Sequence, residues 1–154
     1  MVQRQRIALA VLTSAWAGLI LACGGAGTSS SKTEQTAEKK WPYQLVESKT
    51  EQTEHRNVMD LYAFNGEFDP ADLKAFCKER KDKSPAKVFY YVVIFDKAAN
   101  AKFPNTPFTA EYGDDEGILK HIRAIYCYNK LNGFSELRYH SQNVWEHVPT
   151  REKI

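Results

Sequence analysis

KVFYYVVIFD, residues 87–96, contains the longest apolar run that follows the first 23 residues. Its eight consecutive apolar or aromatic residues, Val88 to Phe95, are mostly of the β-branched and aromatic types that favour strands. Polar residues do not alternate with them, so both faces of this strand are expected to be covered. We predict that this segment is the central strand, and that the sheet face opposite the helices is not simply left to water.

A helix is predicted between residues 70 and 83. Asp69 can cap the free amides, Pro70 stands where no amide is needed, and Ser84-Pro85 ends the helix. The expected buried stripe has i, i+3, i+4, i+7 spacing and comprises Leu73, Phe76, Cys77 and Arg80.

A second helix is predicted from Asp114 to about Asn129, with acidic residues at its start. Its apolar stripe would contain Ile118, Leu119, Ile122, Ile125 and Tyr126. Cys127 would then lie about 140° from the centre of that stripe, pointing sideways or outward. Residues 98–113 are irregular, although Phe108 to Tyr112 is compatible with a short edge strand.

Strands are also expected on either side of these elements. Asn57 to Phe64 is rich in branched and aromatic residues, and a short strand is possible at Gln44 to Glu47, before a polar loop. Ser135 to His140 alternates, with Leu137 and Tyr139 on one face and Glu136, Arg138 and His140 on the other. A short strand is predicted around Trp145, at residues 142–148, and residues 150–154 are expected to fray.

The order of these elements predicts an α+β fold with two helices on one face of a mostly antiparallel sheet. It resembles the ferredoxin-like order βαββαβ with extra terminal strands. The resemblance concerns element order alone and implies no function.

The N-terminus has the order of a secretory signal. Arg4 and Arg6 precede residues 7–21, a run of 15 residues without charge that ends in small residues. A transmembrane helix needs about 20 apolar residues, so a permanent span is disfavoured.

The end of this run, Ile20-Leu21-Ala22-Cys23, resembles the lipobox of bacterial lipoproteins. The resemblance implies cleavage after Ala22, a diacylglyceryl thioether on Cys23 and an acyl chain on its new amine. Three chains would anchor the protein firmly, since two already suffice for stable binding. The alternative is a plain secretory signal with an incidental cysteine.

The implied organisation is a signal peptide at 1–22, a lipidated cysteine with a flexible tether at 23–40, and one small domain at 41–154. In the same family, Gly24 is compatible with export to the outer membrane, where the domain would face the periplasm. Cleavage removes two arginines, so 19 basic residues would balance 19 acidic ones. This balance argues against nucleic acid as a partner.

Cys77 and Cys127 remain as an even pair in an oxidising compartment, which suggests a disulfide. Two separate buried thiols are the alternative. The bridge would require the two predicted helices to lie side by side.

No catalytic, metal-binding or cofactor motif is present. The histidines have no HxH or HxxxH spacing, and there is no CxxC pair, glycine-rich phosphate loop or GxSxG elbow. Strand aromatics are candidate partner-binding residues, because such side chains recognise partners well, although the same rings can instead simply fill the core. These candidates are Tyr62, Tyr90, Tyr139 and Trp145.

The sequence therefore predicts a non-enzymatic, membrane-anchored envelope lipoprotein. Its domain would bind an unknown protein or small molecule through the sheet face opposite the helices, and an immunity or inhibitor protein is one variant of this class. The alternatives are a small envelope hydrolase or thiol enzyme, and a structural spacer in envelope assembly.

Overall fold

Six strands form one sheet whose spatial order follows the chain. The computed structural model describes residues 39–140 and 148–154. The strands are β1 (Gln44–Thr50), β2 (Val58–Ala63), β3 (Phe89–Phe95), β4 (Ile122–Asn129), β5 (Ser135–Tyr139) and β6 (Thr150–Lys153). The helices are α1 (Pro70–Lys83) and the single-turn α2 (Glu116–Leu119), with 3₁₀ turns at Ala98–Asn100 and Phe108–Ala110.

Only β2 and β3 run parallel, joined through α1; all other neighbouring strands are antiparallel. The fold is therefore α+β with a mostly antiparallel sheet, as predicted. The order along the chain is ββαβαβββ, which differs from the predicted βαββαβ with terminal additions. The described chain has one long helix rather than two.

Helix α1 begins and ends as its sequence predicts. Asp69 Oδ1 accepts hydrogen bonds from the amides of Ala71 (2.8 Å) and Asp72 (3.1 Å), and Ser84 is the C-cap. Leu73, Phe76 and Cys77 are its buried residues. The cap and the apolar spacing were sufficient to locate this helix.

Strand β3 is central and is buried on both faces, which confirms the prediction from its unbroken apolar run. Tyr90, Val92 and Ile94 belong to the cluster beneath α1, which we call the helix-side core. Tyr91, Val93 and Phe95 belong to the cluster on the other face, which we call the far-side core.

The far-side core is covered by the segment between β3 and β4. Phe108 and Tyr112 are buried in it, and Ile118 and Leu119 pack against it. The Tyr112 hydroxyl donates to the Lys102 carbonyl at 2.9 Å, which fixes this irregular segment on the sheet. The sheet face opposite α1 is thus largely covered by the chain itself.

The predicted second helix is wrong over most of its length. Only Glu116–Leu119 is helical, with Asp115 as its N-cap, whereas Ile122–Asn129 is strand β4. Its branched and aromatic residues suit a strand, and β4 pairs with β3 on one side and β5 on the other. The apolar spacing of this segment fits a helix as well as a strand. Hydrogen-bonded pairing with a strand on each side therefore determines that it is a strand.

The other differences lie at the sheet edges. Strand β1 continues to Thr50 through residues predicted as loop, and residues 150–153 form β6 instead of fraying. Phe108–Ala110 is a 3₁₀ turn rather than an edge strand. Trp145 and the strand predicted around it lie outside the described residues, as do the leader and nearly all of the predicted tether.

Both ends of the sheet contact α1. On the β1 side, Trp41 packs on Phe76 with ring centroids 5.8 Å apart. On the β6 side, the ammonium of Lys74 on α1 donates to Glu152 Oε2 on β6 at 2.5 Å and forms an ion pair with it. Residues beside both edges of the sheet therefore contribute to the helix-side core, to which Trp41 and Ile154 belong as partly buried members.

In the described ranges, no helix has the length and hydrophobicity needed to cross a membrane.

Candidate functional site

The tyrosines proposed as a binding surface are buried in the helix-side core. Tyr62, Tyr90 and Tyr139 each expose 5% of their surface or less, and all three lie on the α1 side of the sheet. They therefore do not present the exposed partner-binding face that the sequence suggested. The reason is that α1, with residues from both sheet ends, covers this face.

These hydroxyls serve a structural network instead. Tyr90 donates to Asp60 Oδ2 at 2.5 Å, while Ser48 donates to the other oxygen of the same carboxylate. Burial, reinforced by the neighbouring Asp60, raises the pKa of Tyr90. Tyr139 donates to Glu152 at 3.0 Å. The network links β1 to β2 and β3, and β5 to β6.

The two cysteines are free thiols in different cores. Cys77 lies in the helix-side core and Cys127, paired with Tyr91 across the β3–β4 ladder, lies in the far-side core. The structure therefore does not join the pair proposed as a disulfide, and Cys127 does not point outward. The reason is that Cys127 lies on a strand, where its side chain alternates to the face opposite α1.

Burial raises the pKa of both thiols, that of Cys127 to about 11. Because only the thiolate is a good nucleophile, both sulfurs are poorly reactive in the folded domain.

We accordingly predict that neither Cys77 nor Cys127 is alkylated by iodoacetamide at pH 7.5 in the native protein. Both are expected to react fully in urea, giving one adduct at each of these two residues by mass spectrometry. Urea-treated protein serves as the positive control for reagent access. Rapid labelling of either thiol without denaturant would contradict the burial described above.

A small polar cluster joins the end of β3 to the start of β4. His121 Nδ1 lies 3.1 Å from Asp96 Oδ2 and 2.9 Å from Asn100 Nδ2, and Asn100 donates to Asp96 Oδ1 at 2.7 Å. Partial burial would raise the pKa of Asp96, but the hydrogen bonds from Asn100 and His121 outweigh it and lower that pKa. In the described chain the His121 ring bonds only to these two residues, so we interpret the cluster as a structural clamp.

A cavity of about 210 Å³ opens at the end of the sheet where β4 begins and β5 ends. We call it the arginine cavity. Among the described residues its walls are mainly apolar, with two arginines and a histidine. The described residues that line it are Leu119, Ile122, Arg123, Ala124, Ile125, Arg138, His140 and Pro149.

Strand alternation explains how β5 contributes to the cavity. Leu137 and Tyr139 face the helix-side core, which leaves Arg138 and His140 on the opposite face, as predicted from their spacing. The amide of His140 donates to the Arg123 carbonyl at 3.0 Å, so the two strands are still joined at the cavity.

Arg123 is the unusual residue of this cavity, because only 3% of its surface is exposed. It occupies an irregularity in the β3–β4 ladder, where the register shifts between Ile94 and Phe95. Its Nη1 donates to the carbonyls of Gly66 and Phe64, and its guanidinium lies 4.8 Å from the centre of the Phe68 ring. Burial lowers its pKa, which the nearby Asp96 and Glu67 partly oppose.

The two arginines differ in their charge partners. Arg138 is ion-paired with Glu111 and lies 3.5 Å from Glu136. Among residues 39–140 and 148–154, Arg123 has no carboxylate within ion-pair distance, whereas the buried Nε atoms of both arginines lack a hydrogen-bond partner. Arg123 is therefore the less neutralised positive charge at the cavity.

Sequence reasoning missed Arg123 because its segment was predicted to be helical. Its signal was a single charged residue within the apolar run Ile122 to Tyr126. If that run had been interpreted as a strand buried on both faces, Arg123 would have been identified as a buried charged residue, which is rare in proteins.

No group of three or more metal-ligating side chains occurs within the described part of the chain. Comparisons with protein-family models, curated proteins and solved structures found no match to this chain. The function is therefore inferred from the residues and the cavity.

Proposed function

We propose that this protein is a non-enzymatic binding module, lipid-anchored in the bacterial cell envelope, with the arginine cavity as its ligand site. The observation that carries the proposal is an apolar cavity bordered by a buried arginine that lacks a carboxylate partner in the described chain. Sites for small molecules commonly combine apolar walls with a few polar groups.

The anchor rests on the leader sequence. Charged start, apolar run, Ala22 and Cys23 stand in the order of a lipoprotein signal. Lipidated Cys23 would hold the domain at the membrane, and Gly24 is compatible with the outer membrane, with the domain facing the periplasm.

The buried thiols support a binding role over a thiol enzyme, since neither Cys77 nor Cys127 is placed to react. A hydrolase that uses His121 would need a nucleophile at Nε2, whereas the contacts with Asp96 and Asn100 are both made by Nδ1. A structural spacer would not need the cavity.

For the anchor, we predict that Cys23→Ser abolishes labelling by radioactive palmitate and shifts the protein out of the membrane pellet. The reason is that Cys23 would carry the lipid on both its sulfur and its amine. Cys127→Ser is the matched control and should label normally. Palmitate incorporation into Cys23→Ser would contradict the proposed anchor.

For the binding function, we predict that lipoprotein purified gently from membranes carries a noncovalent small molecule visible by native mass spectrometry. Ile125→Trp, which places an indole in the cavity, should remove that adduct. Leu131→Trp adds the same ring at an exposed position of the β4–β5 hairpin and should retain it. Absence of any adduct from the wild-type protein, or its persistence in Ile125→Trp, would count against the cavity as the ligand site.

A further inference from the structure

We propose that the domain docks on anionic phospholipid through the tip of the β4–β5 hairpin, with Leu131 and Phe134 in the bilayer interface and lysines on the headgroups. The residues of this surface, which we call the hairpin end, are Lys81, Lys87 and residues 130–134. The inference rests on the proposed anchor at Cys23, which would bring the domain to a phospholipid surface.

Two large apolar side chains are exposed at the tip. Leu131 is 76% exposed and Phe134 is 42% exposed. Single exposed apolar residues are common on protein surfaces, but only two residues, Asn132 and Gly133, separate this pair at the end of one hairpin. Leucine and phenylalanine are among the side chains that interfacial membrane-binding segments bury at the boundary between headgroups and acyl chains.

Hydrogen bonds within the turn hold the tip in one conformation. The amide of Leu131 donates to Asn129 Oδ1 and that of Phe134 to Asn132 Oδ1, both at 2.9 Å. Gly133 has a φ of +74°, which favours glycine, and its amide donates to the Asn129 carbonyl at 2.9 Å. The two apolar side chains are therefore presented by an ordered turn, so little conformational entropy is lost when the tip enters a membrane.

Three lysines lie around the base of this turn. The amide of Lys130 donates to the Val88 carbonyl at 2.8 Å, which brings the preceding residue, Lys87, to the hairpin. Lys81, in the last turn of α1, lines a cavity of about 200 Å³ together with Lys130, and its ammonium lies 5.3 Å from the centre of the Tyr128 ring. The fold thus gathers lysines that are distant in sequence.

These lysines give the hairpin end a local positive charge. Within the described ranges, none of the three has a carboxylate within ion-pair distance. Asp82 is the acidic residue that lines the cavity of Lys81 and Lys130. Although the mature chain would be neutral overall, this end therefore suits the negative surface potential of anionic lipid, which attracts basic residues near it.

The opposite end of the sheet, which contains the arginine cavity, has acidic residues on its surface. The exposed carboxylates near it are Glu67, Asp69, Asp114, Asp115 and Glu116, and the exposed lysines near it are Lys97 and Lys120. Strand β4 separates the two ends by roughly 25 Å, at about 3.3 Å per residue. An anionic surface attracts the lysines of the hairpin end, so it orients the domain with the arginine cavity facing away from the membrane.

A second copy of the chain fits the hairpin end less well than a bilayer does. Two tips in contact would bring the lysines of both copies together, and like charges repel. Two apolar side chains also offer much less area than the roughly 800 Å² per partner of a stable protein interface.

The test attaches the environment-sensitive fluorophore NBD to the mature lipoprotein in vesicles. Leu131→Cys supplies the reactive thiol at the tip, since the two native cysteines of the domain are buried. Asn65→Cys, in the exposed loop after β2 at the opposite end, is the matched control. The vesicles contain phosphatidylcholine alone or with phosphatidylglycerol, and lipids with brominated acyl chains serve as quenchers.

We expect brominated lipid to quench the label at the tip at least threefold more than the control label when phosphatidylglycerol is present. Lys81→Gln combined with Lys130→Gln should at least halve the quenching at the tip, as should vesicles of phosphatidylcholine alone. Lys97→Gln combined with Lys120→Gln removes the same charge from the opposite end and should leave the quenching unchanged.

Equal quenching at the two labelled positions would overturn the proposal, as would quenching at the tip that depends neither on the lysines nor on phosphatidylglycerol. A blue-shifted label at the tip that brominated lipid does not quench would indicate contact with a second copy and would also overturn it. Flotation of the same vesicles separates docking from anchoring. Protein that floats without quenching at the tip would reject the docking and leave the anchor in place, whereas protein that does not float would reject both.

Discussion

Replacing Phe76 with alanine is expected to lower the free energy of unfolding by about 3–5 kcal/mol, the usual cost of deleting a buried phenyl ring. Phe76 is 1% exposed and contacts three other rings, with centroids 4.4 Å away at Tyr43, 5.0 Å at Tyr62 and 5.8 Å at Trp41. Tyr62 belongs to β2, and Trp41 and Tyr43 lie in the segment before β1, so the cavity would open where the sheet edge meets α1. Since small domains are stable by about 5–15 kcal/mol, this substitution removes a large fraction of the stability.

Urea denaturation followed by circular dichroism measures this loss. Phe134→Ala is the matched control, because the same ring is removed from a side chain that is 42% exposed. A change within about 0.5 kcal/mol is expected there. Similar losses for the two variants would mean that Phe76 is not the centre of the helix-side core.

Raising the pH above about 10 is expected to unfold the domain cooperatively. Burial raises the pKa of Tyr90, Tyr112 and Cys77 well above their ordinary values. Below about pH 8.5 these groups are protonated in both states and add no pH dependence. Above that, the unfolded chain loses protons that the folded chain keeps, so stability falls as pH rises until the folded groups ionise.

The magnitude follows from about 1.4 kcal/mol per group for each pH unit above its unfolded pKa. At pH 11 the two phenols and the thiol together remove roughly 6 kcal/mol, which is comparable with the stability of a small domain. Burial also raises the pKa values of Tyr43 and Tyr91, which adds to the loss.

Tyrosinate absorbance and circular dichroism, recorded on the same samples, test this expectation. Both signals should change together in one steep transition, whereas urea-unfolded protein should titrate gradually near pH 10. Gradual ionisation of all tyrosines with unchanged circular dichroism would contradict the protection of these hydroxyls.

Elements with strong local signals were predicted correctly. Helix α1 has a capping aspartate, a first-turn proline and a spaced apolar stripe, and β3 has a run too apolar to be exposed on either face. The alternation of β5 also predicted which residues face the core and which face away. In each case the pattern lies within 5 to 14 residues of sequence.

Where a local pattern fitted two structures, sequence reasoning was wrong. Ile122, Ile125 and Tyr126 satisfy a helical stripe and also suit a strand that pairs on both sides, and β4 is a strand. The sequence of β6 is polar and does not have the apolar alternation that predicts a strand. Strand β6 is instead stabilised by its pairing with β5 and by the ion pair between Glu152 and Lys74.

Whether the candidate site could be predicted also depends on which segments are assigned as strands or helices. Arg138 and His140 could be assigned to one face of β5 from the sequence, but Arg123 joins them only once its segment is a strand beside β5. The tyrosines were identified as strand residues correctly, yet the sequence could not say that α1 would cover them. Burial of a strand face depends on which other elements pack against it, and those elements are distant from the strand in sequence.

By itself, the sequence determined the α+β class, the bounds of α1 and the central position of β3, and its leader still predicts lipidation at Cys23. Only the tertiary structure decided that residues 122–129 form a strand, that the two cysteines lie on opposite faces of the sheet, and that an arginine borders an apolar cavity. The physical reason is the range of the interactions involved. Capping and side-chain periodicity act between residues a few positions apart, whereas strand pairing and the burial of each sheet face require segments that are distant in sequence.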